Sequence, residues 1–178
     1  MTSCVIRSIS VGLPKEVDMN GQIVSSAILK EPVDGPVRLS SSGLDGDKPA
    51  VHPDAVYVFT ADDYQFWAEQ LGGEWRDGFF GENFTIEGLN QDKLCVGDLI
   101  EIGQSAQMQV LGPRVPCFKL AWRLGMDDSF LRQFALSGHT GFYCSVLSEG
   151  LVRIGDPVRM SPGKNRHSSV NHIAKLNW

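Results

Sequence analysis

A chain of 178 residues has the length of one domain, given the usual span of ~100–200 residues per domain. Hydrophobic residues make up 42% and charged residues 21%, which excludes intrinsic disorder, and no apolar run approaches the ~18–20 residues a membrane helix needs. Sixteen Lys and Arg against twenty-one Asp and Glu leave a formal charge of −5, so the broad positive field of a nonspecific nucleic-acid binder is absent.

The N-terminal stretch Met1 to Arg7 has no basic segment followed by an apolar run, so no secretory signal is read there and a cytoplasmic location is expected. Nineteen Gly and nine Pro favour many short elements, hence a mainly β fold. Apolar, β-branched runs predict strands at Cys4–Val11, Ile23–Leu29, Ala55–Phe59, Asp98–Ile102, Gln107–Leu111, Phe142–Leu147, Leu151–Ile154 and Pro157–Met160. About eight strands punctuated by turn residues suit a closed or nearly closed β-barrel, which removes exposed edges.

Two short peripheral helices interrupt the strands. Thr60-Ala61-Asp62-Asp63 reads as a capping box, with Tyr64, Trp67, Ala68 and Leu71 on one stripe and Gly72-Gly73 as terminator. A second helix is predicted over Asp127 to Leu136, capped by Asp127 or Asp128, with Phe130, Leu131 and Phe134 inward and Gly138 ending it. Residues 1–160 form the domain; residues 161–178, with Lys164, Arg166, His167, His172 and Lys175, are expected to be a loosely docked extension. His167 and His172 lack the spacing and partnering acid of a metal site.

Cysteines at 4, 95, 117 and 144 contain no C-x-x-C pair, which disfavours zinc-ribbon and thioredoxin-like chemistry, and each thiol stands alone. Cys117 lies in Arg114-Val115-Pro116-Cys117-Phe118-Lys119, where Pro116 restricts the entering backbone. If the extended pattern continues, Cys117 and Lys119 share a face, and an ammonium there favours the thiolate that attacks electrophiles, carries sulfur or binds a soft metal. The competing reading is a small buried hydrophobe. In Phe79-Phe80-Gly81-Glu82-Asn83-Phe84, Glu82 and Asn83 either orient a ligand or form a turn with a solvated acid. His52 follows an Asp- and Gly-rich stretch that fails the EF-hand spacing, and it either donates to a phosphate or packs structurally. Phosphate-loop, dinucleotide, G-x-S-x-G and H-E-x-x-H patterns are absent.

Taken in order, Gly43-Leu44-Asp45-Gly46-Asp47, His52, Phe80-Gly81-Glu82-Asn83-Phe84, Val96-Gly97-Asp98 and Arg114-Val115-Pro116-Cys117 resemble the MOSC domain, the molybdenum cofactor sulfurase C-terminal domain, in its stand-alone bacterial form. The resemblance covers about Cys4 to Met160 and implies a β-barrel with small helices that binds the molybdenum cofactor. It further implies Cys117 as molybdenum ligand and catalytic residue, with His52, Glu82, Asn83, Arg114 and Lys119 holding the cofactor. The expected activity is reduction of N-hydroxylated or related N–O compounds, with a small-molecule substrate, a separate redox partner protein and no nucleic-acid or membrane partner. The alternatives are a sulfur carrier taking persulfide from a sulfur donor onto Cys117, and a barrel that has lost its cofactor. The third follows from a departure: relatives typically read His-Gly-Gly, whereas here His52 is followed by Pro53-Asp54. Pyridoxal phosphate is not expected, because the aminotransferase-like domain of the full sulfurases has no counterpart in these residues.

Overall fold

The computed structural model describes residues 4–48 and 56–176. In chain order the elements are β1 (Val5–Val11), β2 (Lys15–Met19), β3 (Gln22–Ser26), β4 (Glu31–Pro32), β5 (Val37–Ser40), β6 (Gly43–Leu44), β7 (Val56–Thr60) and α1 (Ala61–Leu71). There follow β8 (Phe84–Glu87), a 3-10 turn over Gln91–Lys93, β9 (Leu99–Ile102), β10 (Ala106–Pro113), α2 (Phe118–Leu124) and α3 (Ser129–Ser137). The chain ends with β11 (Phe142–Ser148), β12 (Gly150–Val152), β13 (Val158–Ser161) and α4 (Val170–Leu176). The fold is mainly β, as the composition implied, and the described residues hold four short helices where two were expected.

Eight strands form one sheet in the order β13-β9-β10-β11-β7-β8-β1-β4. All its pairings are antiparallel except β7 with β8, which α1 connects as a crossover. The ladders do not close into a ring. The far end of the sheet meets β1 through one isolated bridge, Val5 to Pro157, with Ile6 N–H donating to the Asp156 carbonyl at 3.0 Å.

Alternation along β7 and β11 divides the interior in two. Val56, Val58, Phe142 and Cys144 point into an aliphatic core with Ile6, Ile9, Ile86, Ile100 and Met108. Tyr57, Phe59 and Tyr143 point the other way, against Trp67 of α1, Leu120 of α2 and Phe130 and Phe134 of α3. On this aromatic side Phe59 stacks on Phe80 at 4.7 Å and Trp67 on Phe134 at 5.2 Å.

The expected capping box is present: Thr60 accepts from Asp63 N–H and the Asp63 carboxylate accepts from Thr60 N–H, both at 3.0 Å. Gly72 ends α1 in the left-handed conformation, and Gly138 does the same for α3. Asp128, one of the two expected caps, is the N-cap residue of α3, without a side-chain capping bond, while Asp127 before it accepts from Ser129 N–H. The run read as one strand over Ile23–Leu29 is instead the second arm of a hairpin, β2 with β3. Asn20 and Gly21, at φ 56° and 87°, supply the tight turn between its arms.

The segment after Ser161 packs on the domain. Arg166 pairs with the buried Asp98 at 2.9 Å, Ser169 bridges to Cys95, and Val170 at the start of α4 is fully buried. No helix among the described residues is long and apolar enough to cross a membrane.

Candidate functional site

The stretch between β10 and α2 carries Cys117, the exposed member of the four cysteines. Pro113 ends β10 opposite Phe142, and Arg114 N–H donates to the Gly141 carbonyl at 3.3 Å, which fixes the direction in which the chain leaves the sheet. Gly141 is required there: at φ 62°, an added Cβ would lie 2.4 Å from the Val58 carbonyl oxygen. The chain then passes Pro116 and reaches Cys117, an exposed thiol at the N-cap of α2 whose side chain makes no capping bond. The buried-hydrophobe reading of Cys117 is therefore excluded.

The expectation that Cys117 and Lys119 share a strand face is corrected, because the chain turns helical at Phe118. Phe118 to Leu124 contains good helix formers, buries Leu120 and Ala121 against the aromatic layer, and is stopped by Gly125 in the left-handed conformation. Lys119, in the first turn, donates from Nζ to the Ser25 carbonyl at 3.0 Å and ties α2 to the β2–β3 hairpin.

Arg114 is buried, at 7% exposure. Its guanidinium donates to the Phe80 carbonyl and sits 4.7 Å from the centre of the Tyr57 ring. Burial alone would lower the guanidinium, but Tyr57, Tyr143 and Cys117 outweigh it and hold it above the ordinary arginine value. Among the described residues no carboxylate forms an ion pair with Arg114. A dry guanidinium without a counter-charge is costly and attracts an anion.

Glu82 is fully buried, so it is not the solvated turn acid that one reading expected. Its Oε1 accepts from the Tyr64 hydroxyl at 2.6 Å, Gly78 N–H at 2.6 Å and the Thr85 hydroxyl at 2.8 Å, whereas Oε2 is buried with no partner among the described residues. Burial raises its carboxyl, although those three donors oppose the shift. Asn83 is committed to the scaffold: Oδ1 accepts from Tyr57 N–H at 3.0 Å and Nδ2 donates to the Ser10 carbonyl at 3.2 Å, splicing β7 to β1. His52 lies outside the described residues.

Two groups in this neighbourhood escaped the sequence reading. Lys30 and Asp47 form an ion pair with both side chains 4% exposed, and Asp47 also accepts from Gly12 N–H at 2.8 Å. Burial lowers the Lys30 ammonium despite Asp47, and the fields of Glu82 and Arg114 both reach it. Nothing local in Leu29-Lys30-Glu31 marks a buried lysine. The Gly43–Asp47 stretch did contain its partner, read only as part of a pattern. Arg123, the other missed group, lies one helical turn beyond Lys119 on α2.

Cys117 lies close enough to Arg114 for its field to act on the guanidinium, and the fields of Arg114 and Glu82 both reach Lys30, while Lys119 is held on α2 against the hairpin. Among the described residues no three His, Cys, Asp or Glu side chains cluster as a self-sufficient metal site. A metal here would need ligands that arrive with it, and the donor set suits one: a soft, exposed sulfur and a buried cation for an anionic group.

The family model of the MOSC domain matches residues 46–159. The uncharacterized protein YflK of Bacillus subtilis is 33% identical over 179 aligned residues, covering 97% of this chain and 80% of that protein. A protein named Reductase from Gibberella moniliformis is 30% identical over 88% of this chain, but the match spans only 29% of its length. The crystal structure of YiiM from Geobacillus stearothermophilus superposes with a TM-score of 0.77 at 31% identity, covering 98% of this chain and 83% of that one.

Proposed function

We propose, from the premise that the chain belongs to the MOSC domain family, that it binds the molybdenum cofactor through Cys117 and reduces N-hydroxylated or related N–O compounds. The observation that carries this reading is the pairing of an exposed, unbonded Cys117 thiol with a buried Arg114 that has no carboxylate partner among the described residues. The thiolate is the soft ligand molybdenum requires, and Arg114 and Lys119 are the cations for the cofactor's phosphate. His52 and the orphaned Glu82 Oε2 complete the polar set, with Asn83 holding the strands that carry it. The barrel expected of the family stands as part of this proposal, closed at the Val5–Pro157 bridge.

When bound, the cofactor supplies a two-electron reduction, R–NH–OH plus two electrons and two protons giving R–NH2 and water, with electrons from a separate redox protein. The chain's own residues do the rest. Cys117, on a stretch stiffened by Pro116, fixes where the metal sits. The Arg114 charge, held by the Phe80 carbonyl and the Tyr57 ring, is preorganised and needs no rearrangement on binding. The Lys119 to Ser25 bond closes one side of the site with the hairpin. The 30% identity to a protein named Reductase supports the reaction class, within the limit that the match covers under a third of that protein.

The test is elemental analysis of protein purified from a cofactor-competent host, comparing wild type with Cys117→Ser. Stoichiometric molybdenum in wild type, lost in the variant with an unchanged circular dichroism spectrum, and loss of hydroxylamine reduction by more than ~100-fold are expected. Metal and turnover retained in Cys117→Ser would refute the assignment. The exposed thiol also favours a second reading, sulfur carriage as a persulfide. A reversible sulfur adduct on Cys117 in protein that never acquires molybdenum would select it instead.

A further inference from the structure

A groove with a volume of about 720 Å³ is lined by Ala61, Asp62 and Ala68 of α1, by Glu74 and Trp75 just beyond that helix, and by Glu87 at the end of β8. Small-molecule sites fall in the same range, ~300–1,000 Å³. Cys117, Arg114 and Lys119 are not among its walls. Tyr64, 6% exposed, also lines it, and its ring is fixed because the hydroxyl donates to Glu82.

Among the described residues Arg7 is the one cation lining the groove. Ile6 pairs with Ile86 and Ser8 with Thr85, so Arg7 is the extra residue of a bulge in β1, a device that re-aims a side chain. Its guanidinium donates to both oxygens of Asp77, from Nε at 2.9 Å, and lies 5.6 Å from the centre of the Tyr64 ring. The bond to Asp77, joined by the fields of Asp77, Tyr64 and Glu87, outweighs burial and holds the guanidinium above the ordinary arginine value. Its charge is therefore already answered. Asp62, Glu74 and Glu87 are exposed and form no ion pair among the described residues. The groove is left with an excess of negative charge.

Trp75 supplies a flat apolar wall that is set in advance. Its half-buried indole meets Phe80 edge-on at 5.7 Å and Phe79 at 6.2 Å. Gly73 does not adopt a left-handed φ, so its missing side chain serves the indole instead: an added Cβ would lie 2.8 Å from the Trp75 ring. Tryptophan is the strongest aromatic partner for a cation. A planar, weakly hydrated cation both stacks on such a ring and turns its N–H groups to carboxylates.

We propose that this groove is a binding site for an organic cation, an amidinium or guanidinium on a small apolar body, seated on Trp75 with its N–H groups toward Asp62, Glu74 and Glu87. The claim is independent of the chemistry assigned to Cys117, since the two sets of residues do not overlap.

The experiment is calorimetric titration of the purified protein with benzamidine and with benzamide, a neutral compound of the same shape. Benzamidine should bind at least about tenfold more tightly than benzamide. Trp75→Leu should weaken benzamidine, and the double variant Asp62→Asn with Glu74→Gln, at two exposed positions, should remove most of the preference for the charged compound. Glu101→Gln, exposed on β9 and outside the groove, should leave both affinities unchanged. Equal affinity for the two compounds, or no saturable benzamidine binding below ~10 mM, overturns the proposal. So does a preference that survives undiminished in the folded double variant, because the cation would then be held elsewhere.

Discussion

The two faces of β7 and β11 support opposite kinds of interior. On one, Ile6, Ile9, Phe84, Ile86, Ile100 and Met108 bury completely in an aliphatic cluster. On the other, Phe59, Trp67, Phe80 and Phe134 make an aromatic layer, and near it the protein buries Lys30, Asp47, Glu82 and Arg114. The aliphatic face gains from every atom removed from water, whereas the aromatic face spends part of that gain on desolvating charges. Stability alone would not select the second arrangement, which is why the chemistry is sought there.

The largest expected effect tests the first face. Phe84→Ala, at a side chain with no exposed surface, removes a ring from the aliphatic core and should cost about 3–5 kcal/mol in urea unfolding. A loss under about 1 kcal/mol would mean the core collapses around the gap and is less rigidly packed than its burial implies.

The next effect tests the second face. Asp47→Asn keeps the shape but leaves the Lys30 ammonium at 4% exposure without its counter-charge, and should destabilise by about 3 kcal/mol. Replacing both, Lys30→Met with Asp47→Leu, should restore much of that loss, since an apolar pair avoids the desolvation. If the single substitution is silent, water reaches the pair and the contrast between the faces is weaker than drawn.

How far the sequence revealed this depends on whether the signal was local. Thr60 to Gly73 announced α1 fully, because caps, stripe and stop lie within one short segment. Helix α2 was missed because the extended trend of Val115-Pro116 was carried one residue too far, although Leu120, Ala121 and Gly125 held the correcting pattern. The Asn20-Gly21 turn was legible and overlooked. Cys117 was singled out from its prolines and cations, yet its exposure is set by how α2 docks, which no local pattern states. Lys30 and Arg123 were invisible for a deeper reason: their environments are assembled from Asp47, Glu82, Arg76 and Phe79, which come together only in the fold.

The smallest effect is the most informative about charge. Glu82 accepts three hydrogen bonds on one oxygen, which favours its ionised form, and is fully buried, which favours its neutral form. Burial prevails and its carboxyl lies above the ordinary glutamate value of 4.5. A raised carboxyl holds its proton longer in the folded state than in the unfolded one. Its stabilisation is therefore complete below the unfolded value and is lost as pH rises through the folded value. Measured against Glu82→Gln, which cannot ionise, wild type should lose stability in urea as pH rises above the ordinary glutamate value of 4.5. A relative gain over that range would mean that Tyr64, Gly78 and Thr85 hold a carboxylate. The buried layer would then contain a negative charge whose field reaches Lys30, and the case for an external anion in this layer would weaken. The expected loss leaves no negative charge at Glu82 in the buried layer, which is the condition the proposed binding of an anionic cofactor at Arg114 requires.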